Sequence, residues 1–106
     1  MTDNLNVDLK KLRQRYLELV NKELPTLAKQ RQFPIRFNHC FARIILDNLF
    51  DRCWYEALDR KKGAAYKQLS PEQLQEAIAI AEKIIDRPDD YIEELNQNSL
   101  RWRNKL

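Results

Sequence analysis

The stretch "RFNHCFARIILDNLFDRCWYEAL", Arg36 to Leu58, decides the fold. Five aromatic residues and a dense aliphatic set surround four polar ones, His39, Arg43, Asp47 and Asn48. On a helix turning ~100° per residue, His39, Phe50 and Ala57 share a line. Leu46, Cys53 and Ala42 lie to one side of it, and Arg43, Trp54 and Asp47 to the other. Ile44, Tyr55, Asn48 and Phe41 fill the back, leaving only Arg52, Glu56 and Asp59 in a clearly wet sector. A helix that is apolar nearly all round is a buried one. The pattern therefore predicts a central helix over about 39–61, with Asn38 as its N-cap. Arg60, Lys61 and Lys62 suit its negative end, and Gly63 its left-handed C′ position.

The rest of the chain extends this helical reading. The 106 residues include one Gly and four Pro, too few turn formers for an all-β protein. Leu5, Leu9, Leu12, Tyr16, Leu19 and Val20 recur at helical steps. They predict a first helix from about Asp8 to Glu23, kinked or continued to Gln30 at Pro25. "FPIRF" reads as a connector, since Pro34 pushes Phe33 toward extended backbone. In "SPEQLQEAIAIAEKIID", Ser70 is the N-cap, Pro71 fits N1 and Gln73 completes a capping box. Leu74, Ala77, Ile78, Ala81, Ile84 and Ile85 form its apolar stripe. Pro88 in "DRPDD" marks a break, and a last helix follows with Tyr91, Ile92, Leu95 and Trp102 inward. The expected architecture is all-α: residues 1–106 as a single helical domain, a bundle of about four helices.

Two readings of the four polar residues stay open. In one, they are structural ties: Arg43 and Asp47, four apart, pair with each other or with neighbouring helices, and Asn48 bonds an interhelical carbonyl. In the other, His39, Arg43, Asp47, Asn48 and Trp54 border a ligand pocket, with Arg43 as an anion clamp and Trp54 as an aromatic wall. A catalytic set is not expected, because His39 and Asp47 stand about 12 Å apart along a helix axis at ~1.5 Å per residue. Cys40 and Cys53 lie about 20 Å apart on the same assumption, too far for the roughly 7 Å of a disulfide, and read as buried thiols. No zinc spacing and no glycine-rich phosphate loop occurs, so neither metal nor cofactor is expected.

The net charge of +3 is uneven: residues 1–38 carry +4, 39–69 carry +2 and 70–106 carry −3. Two basic stretches are candidate interaction surfaces, Lys10, Lys11, Arg13 and Arg15 in the first helix and Arg101, Trp102 and Arg103 at the end. Basic residues interleaved with an aromatic suit nucleic acid, yet the charge is milder than that of a dedicated nucleic-acid binder. No apolar run approaches the ~18 residues of a membrane span, and the N-terminus does not read as a secretory leader. The cytoplasm is the expected compartment.

The segments "PIRFNHCFARIILDNLFDRCWYEAL", "AYKQLSPEQLQEAIAIAEKI" and "LNQNSLRWR" resemble small helical bacterial proteins, cyanobacterial ones among them, with an N-H-C-x-x-R-I-x-L-D-N…W-Y pattern. The resemblance spans Pro34 to Arg103. It implies a bacterial, cytoplasmic protein and supplies no functional residues. Some similar sequences carry an acetyltransferase label. This chain lacks the β-rich architecture and glycine turn of such an enzyme, and would be at most its companion. The expected function is a non-enzymatic binding or adaptor module, with a protein or a second copy of itself as partner. A nucleic-acid-associated regulator and a small-ligand-binding protein are the alternatives.

Overall fold

The computed structural model describes residues 2–31, 33, 35, 38–87 and 89–105, and of residues 2–7 and 89 the backbone. The architecture is all-α, and the described residues contain no strand. Helix α1 (Thr2–Glu18) passes through a π-helical turn (Leu19–Glu23) into α2 (Leu24–Gln30). Then come α3 (Asn38–Phe50), three short 3₁₀ turns (Trp54–Glu56, Arg60–Lys62, Ala65–Gln68), α4 (Pro71–Asp86) and α5 (Asp89–Trp102). With α1 and α2 counted as one kinked helix, this is a bundle of four.

The first helix starts six residues earlier than the sequence predicts, because nothing from Thr2 to Val7 breaks a helix and the apolar steps already begin at Leu5. Its kink has an identifiable cause. Pro25 has no N–H, and its ring crowds the carbonyl of Asn21 one turn back. The backbone widens over Leu19–Glu23, where the Leu24 N–H reaches back to the Leu19 carbonyl. α2 then opens with Pro25 in its first turn, where a missing donor is harmless.

Helix α3 is the centre of the bundle, packed on α5, α4, α2 and the π turn. Phe41, Ile44 and Ile45 are wholly buried, each contributing roughly 1.5–3 kcal/mol relative to exposure. The predicted extent of 39–61 is corrected: α3 ends at Phe50. Asp51 takes a left-handed conformation, φ +55°. The Arg52 N–H then donates to the Asp47 carbonyl at 3.1 Å, the six-to-one bond of a Schellman close. Gly63, at φ +103°, does end a helical turn, but the short one at Arg60–Lys62. Cys53 accordingly lies beyond α3, and both cysteines are free thiols, half-buried rather than fully buried.

Helix α4 follows its sequence reading closely. Ser70 accepts from the Gln73 N–H (3.2 Å) while the Gln73 side chain accepts from the Ser70 N–H (2.9 Å). Leu74, Ala77, Ile78, Ala81 and Ile84 are buried, and Ile85 is half-buried. α4 seals α1 from the rear and touches α3. From the connector, Phe33 and Ile35 enter the core. The effects expected of Pro34 and Pro88 fall outside the described residues. No helix is long and apolar enough to cross a membrane among the described residues.

Removing the reciprocal cap tests how much α4 depends on it. Ser70→Ala is expected to lower stability by about 1 kcal/mol, measured as a shift of the urea midpoint at constant slope. A shift within a few tenths of a kcal/mol would show that packing alone fixes the start of α4.

Candidate functional site

The four polar residues of α3 divide between two places. Asp47 and Asn48 bond α5 and the residues next to it, while His39 and Arg43 border a cleft shared with α1 and the 3₁₀ segment, Arg43 also reaching α5.

Asp47 is completely buried. Its Oδ2 accepts from Ser99 Oγ (2.6 Å) and Arg103 Nε (2.7 Å). Its Oδ1 accepts from the Trp54 backbone N–H (2.9 Å) and an Arg103 terminal nitrogen (3.1 Å). Four bonds fill the four lone-pair sites of a carboxylate. The hydrogen bond to Asp47 holds Arg103 above the ordinary arginine pKa, although burial pulls the other way. Asn48 donates to the Ile44 and Leu95 carbonyls (2.8 and 3.0 Å) and accepts from Asn98 (3.2 Å). These bonds tie α3 to α5.

The i, i+4 pairing of Arg43 with Asp47 does not form. Asp47 has no acceptor site left for it, and Arg43 instead donates to Asn96 Oδ1 on α5 at 2.5 Å. The Arg43 Nε is buried and has no hydrogen-bond partner among the described residues. The sequence reading missed Asn96 and Ser99, and it placed Arg103 on an interaction surface rather than with Asp47. The three- and four-residue spacing from Asn96 through Ser99 to Arg103, along α5 and just past its end, is the signal that could have found them, a polar row running beside Ile92 and Leu95.

The cleft has a volume of about 530 Å³. Tyr16 and Leu17 from α1, Val20 and Asn21 from the π turn, and Ala42 and Leu46 from α3 form its floor and near wall. Trp54, Tyr55 and the segment from Arg60 to Tyr66 close the far side. Tyr16 stacks on Tyr66 (centroids 6.2 Å apart, planes at 27°), and Trp54 meets Tyr55 edge to face at 4.7 Å. Burial pushes the Tyr16 phenol well above its ordinary pKa, so it stays neutral. Asn38, at the start of α3, bonds Asn21 of the π turn (3.1 Å) and joins the two near walls. The π turn is thus part of the site; such turns are frequent where helices serve function.

Polar groups rim this apolar space. His39 and Arg43 reach the rim from α3 and Arg60 from the 3₁₀ segment. Arg60 lies over the Tyr55 ring, 3.9 Å from its centroid, and Arg103 lies 4.6 Å from the same centroid. Among the described residues no Asp or Glu lines the cleft. Trp54 does sit beside His39 and Arg43, but it arrives from the 3₁₀ segment rather than from the same helix.

The candidate interaction surfaces are largely dispersed. Lys10, Lys11 and Arg101 are exposed. Arg13 donates to the Lys67 carbonyl (3.0 Å), and Arg15 bonds Glu23 with Glu18 and Glu82 near. Trp102 is half-buried, and Arg103 is drawn inward, its side chain only 15% exposed. A lone buried carboxylate attracts such a guanidinium more strongly than water does only with good geometry, and the two-nitrogen contact supplies it. No group of three or more metal-ligating side chains occurs among the described residues.

Asp47→Ala would strand the Arg103 charge and the Trp54 N–H. A loss of about 3–5 kcal/mol is expected in chemical unfolding. Replacing Asp47 and Arg103 together by leucine is expected to recover much of it, since the desolvation of both charges disappears. A loss below about 1 kcal/mol for Asp47→Ala would refute the tie.

No protein-family model, curated protein or solved structure matches this chain, so the reading of its function begins from the cleft itself.

Proposed function

We propose that the chain is a non-enzymatic helical binding module that takes a small ligand into the cleft between α1, α3 and the 3₁₀ segment. The observation that carries this reading is the cleft's build: about 530 Å³, walled by Tyr16, Trp54 and Tyr66, with a few polar groups at its edge. Ligand sites have this character, a concave apolar space of roughly 300–1,000 Å³ with a small number of orienting groups.

The adaptor reading has less support. It requires an apolar patch to bury on a partner, and Tyr55, 43% exposed, is the one large hydrophobic residue exposed among those described. Tyr55 itself borders the cleft, with Tyr16, Trp54 and Tyr66. The nucleic-acid reading needs a row of available cations, whereas Arg13, Arg15 and Arg103 make contacts within the chain. A catalytic reading needs groups that converge on one atom. His39 stands at the cleft, and the buried Asp47 has its oxygens taken up by Ser99, Arg103 and the Trp54 N–H.

Phenylbutanol, an aromatic ring on a short chain, is a suitable probe. Titration followed by amide NMR is expected to give saturable shifts concentrated at Leu17, Asn21, Ala42 and Ala64. Ala42→Phe fills the space and is expected to abolish them while the thermal unfolding stays cooperative. Shifts that are scattered, do not saturate or survive Ala42→Phe would overturn the proposal.

A further inference from the structure

The charges around the cleft are one-sided. Arg43 and Arg60 both line it, and among the described residues no carboxylate does. Neither guanidinium has a carboxylate partner among the described residues: Arg43 bonds the neutral Asn96, and Arg60 lies over the Tyr55 ring. Elsewhere in the same chain arginines do find acids, Arg15 with Glu23 and Arg103 with Asp47. The chain beside Arg60 adds to the imbalance. Lys61, Lys62 and Lys67 are exposed, and the nearest acid, Asp59, accepts from the Lys61 backbone N–H at 2.9 Å.

A guanidinium beside an apolar wall is matched by an anion attached to an apolar body. The anion replaces the water that the wall excludes, and the body covers the aromatic surface. Arg43 already uses one terminal nitrogen on Asn96, and its Nε is buried without a partner. A singly charged, planar acceptor suits what remains of that fork, and a dianion would be dearer to desolvate beside Leu46 and Trp54. We infer that the ligand of this cleft is an organic carboxylate with an aromatic or aliphatic body, its carboxylate held at Arg43 and Arg60 and its body against Tyr16, Trp54 and Tyr66. The inference rests on the cleft being a ligand site at all.

The test compares phenylbutyrate with phenylbutanol, which share ring and chain length and differ in charge. With the full chain at neutral pH, the carboxylate is expected to bind at least about tenfold more tightly, as a charge-assisted bond gives. Added salt is expected to narrow the gap, since Arg60 is exposed. Arg43→Gln and Arg60→Gln should each remove much of the advantage. Arg101→Gln, an exposed charge on α5, should leave it intact. The Arg60 side chain makes no hydrogen bond among the described residues, so its variant serves even if Arg43→Gln fails to fold. Equal affinity for the two probes overturns the carboxylate inference and leaves the cleft as a site. An advantage that survives both arginine variants overturns the placement, and tighter binding of phenylbutyl phosphate overturns the choice of anion. Failure of both probes to bind removes the site itself.

Discussion

One carboxylate links the centre of this bundle to one wall of the cleft. Asp47 closes α3 with its backbone carbonyl, which accepts from Arg52, and turns the chain with its side chain, which accepts from the Trp54 N–H. The same side chain holds Ser99 and Arg103 of the last helical turns. A buried charge is expensive unless every lone pair is met. The Trp54 N–H, the Ser99 hydroxyl and the Arg103 guanidinium are therefore fixed in relation to one another. Because Trp54 and Tyr55 form one wall of the cleft, the shape of that wall follows from a requirement of the core.

The opposite wall has a different origin. Pro25 forces the first helix to widen at Leu19–Glu23, and the widened turn presents Val20 and Asn21 to the space between α1 and α3. Asn21 then bonds Asn38 at the head of α3. A straight α-helix would place the side chains of its last turn about 100° per residue apart without this insertion. The floor residues Tyr16 and Leu17 lie just before the widened turn, and Val20 and Asn21 lie within it. The cleft thus stands between a proline-induced irregularity on one side and a prematurely closed helix on the other. Neither helix can simply collapse onto it.

Much of the fold could be read from residue spacing. Helix α4 shows its cap, its first proline and its apolar stripe in plain order, and the structure uses all three. The buried character of α3 and the need to satisfy its polar residues could be read too. The end of α3 could not. Apolar residues continue through Cys53, Trp54, Ala57 and Leu58, and the residue that takes the left-handed turn is Asp51 rather than a glycine. Asp tolerates that conformation, and the turn it makes is held by the Arg52 and Trp54 N–H groups donating to Asp47, which Ser99 and Arg103 anchor from some fifty positions on. Arg103 was opaque for the same reason. In "RWRNKL" it looks like one of a set of surface cations, and only the position of Asp47 makes it internal. Local pattern shows where helices are; long-range polar partners decide where they stop.

The placement of Arg103 has a consequence for the cleft. Its guanidinium bonds Asp47 and lies against the Tyr55 ring, and Arg60 lies against that ring as well. Two cations near one aromatic ring repel each other, and each contact with the ring is weak, about 0.5–2 kcal/mol. Arg103 is held in place by a buried carboxylate and has no reason to move. Among the described residues, Arg60 has only the ring. Of the two, it is the one that an anion at the rim can draw away at small expense, while Tyr55 keeps Arg103 as its partner. The core tie therefore leaves the rim adjustable: the strong pair fixes the aromatic wall, and the weak contact leaves a charge at its edge ready to meet an incoming ligand.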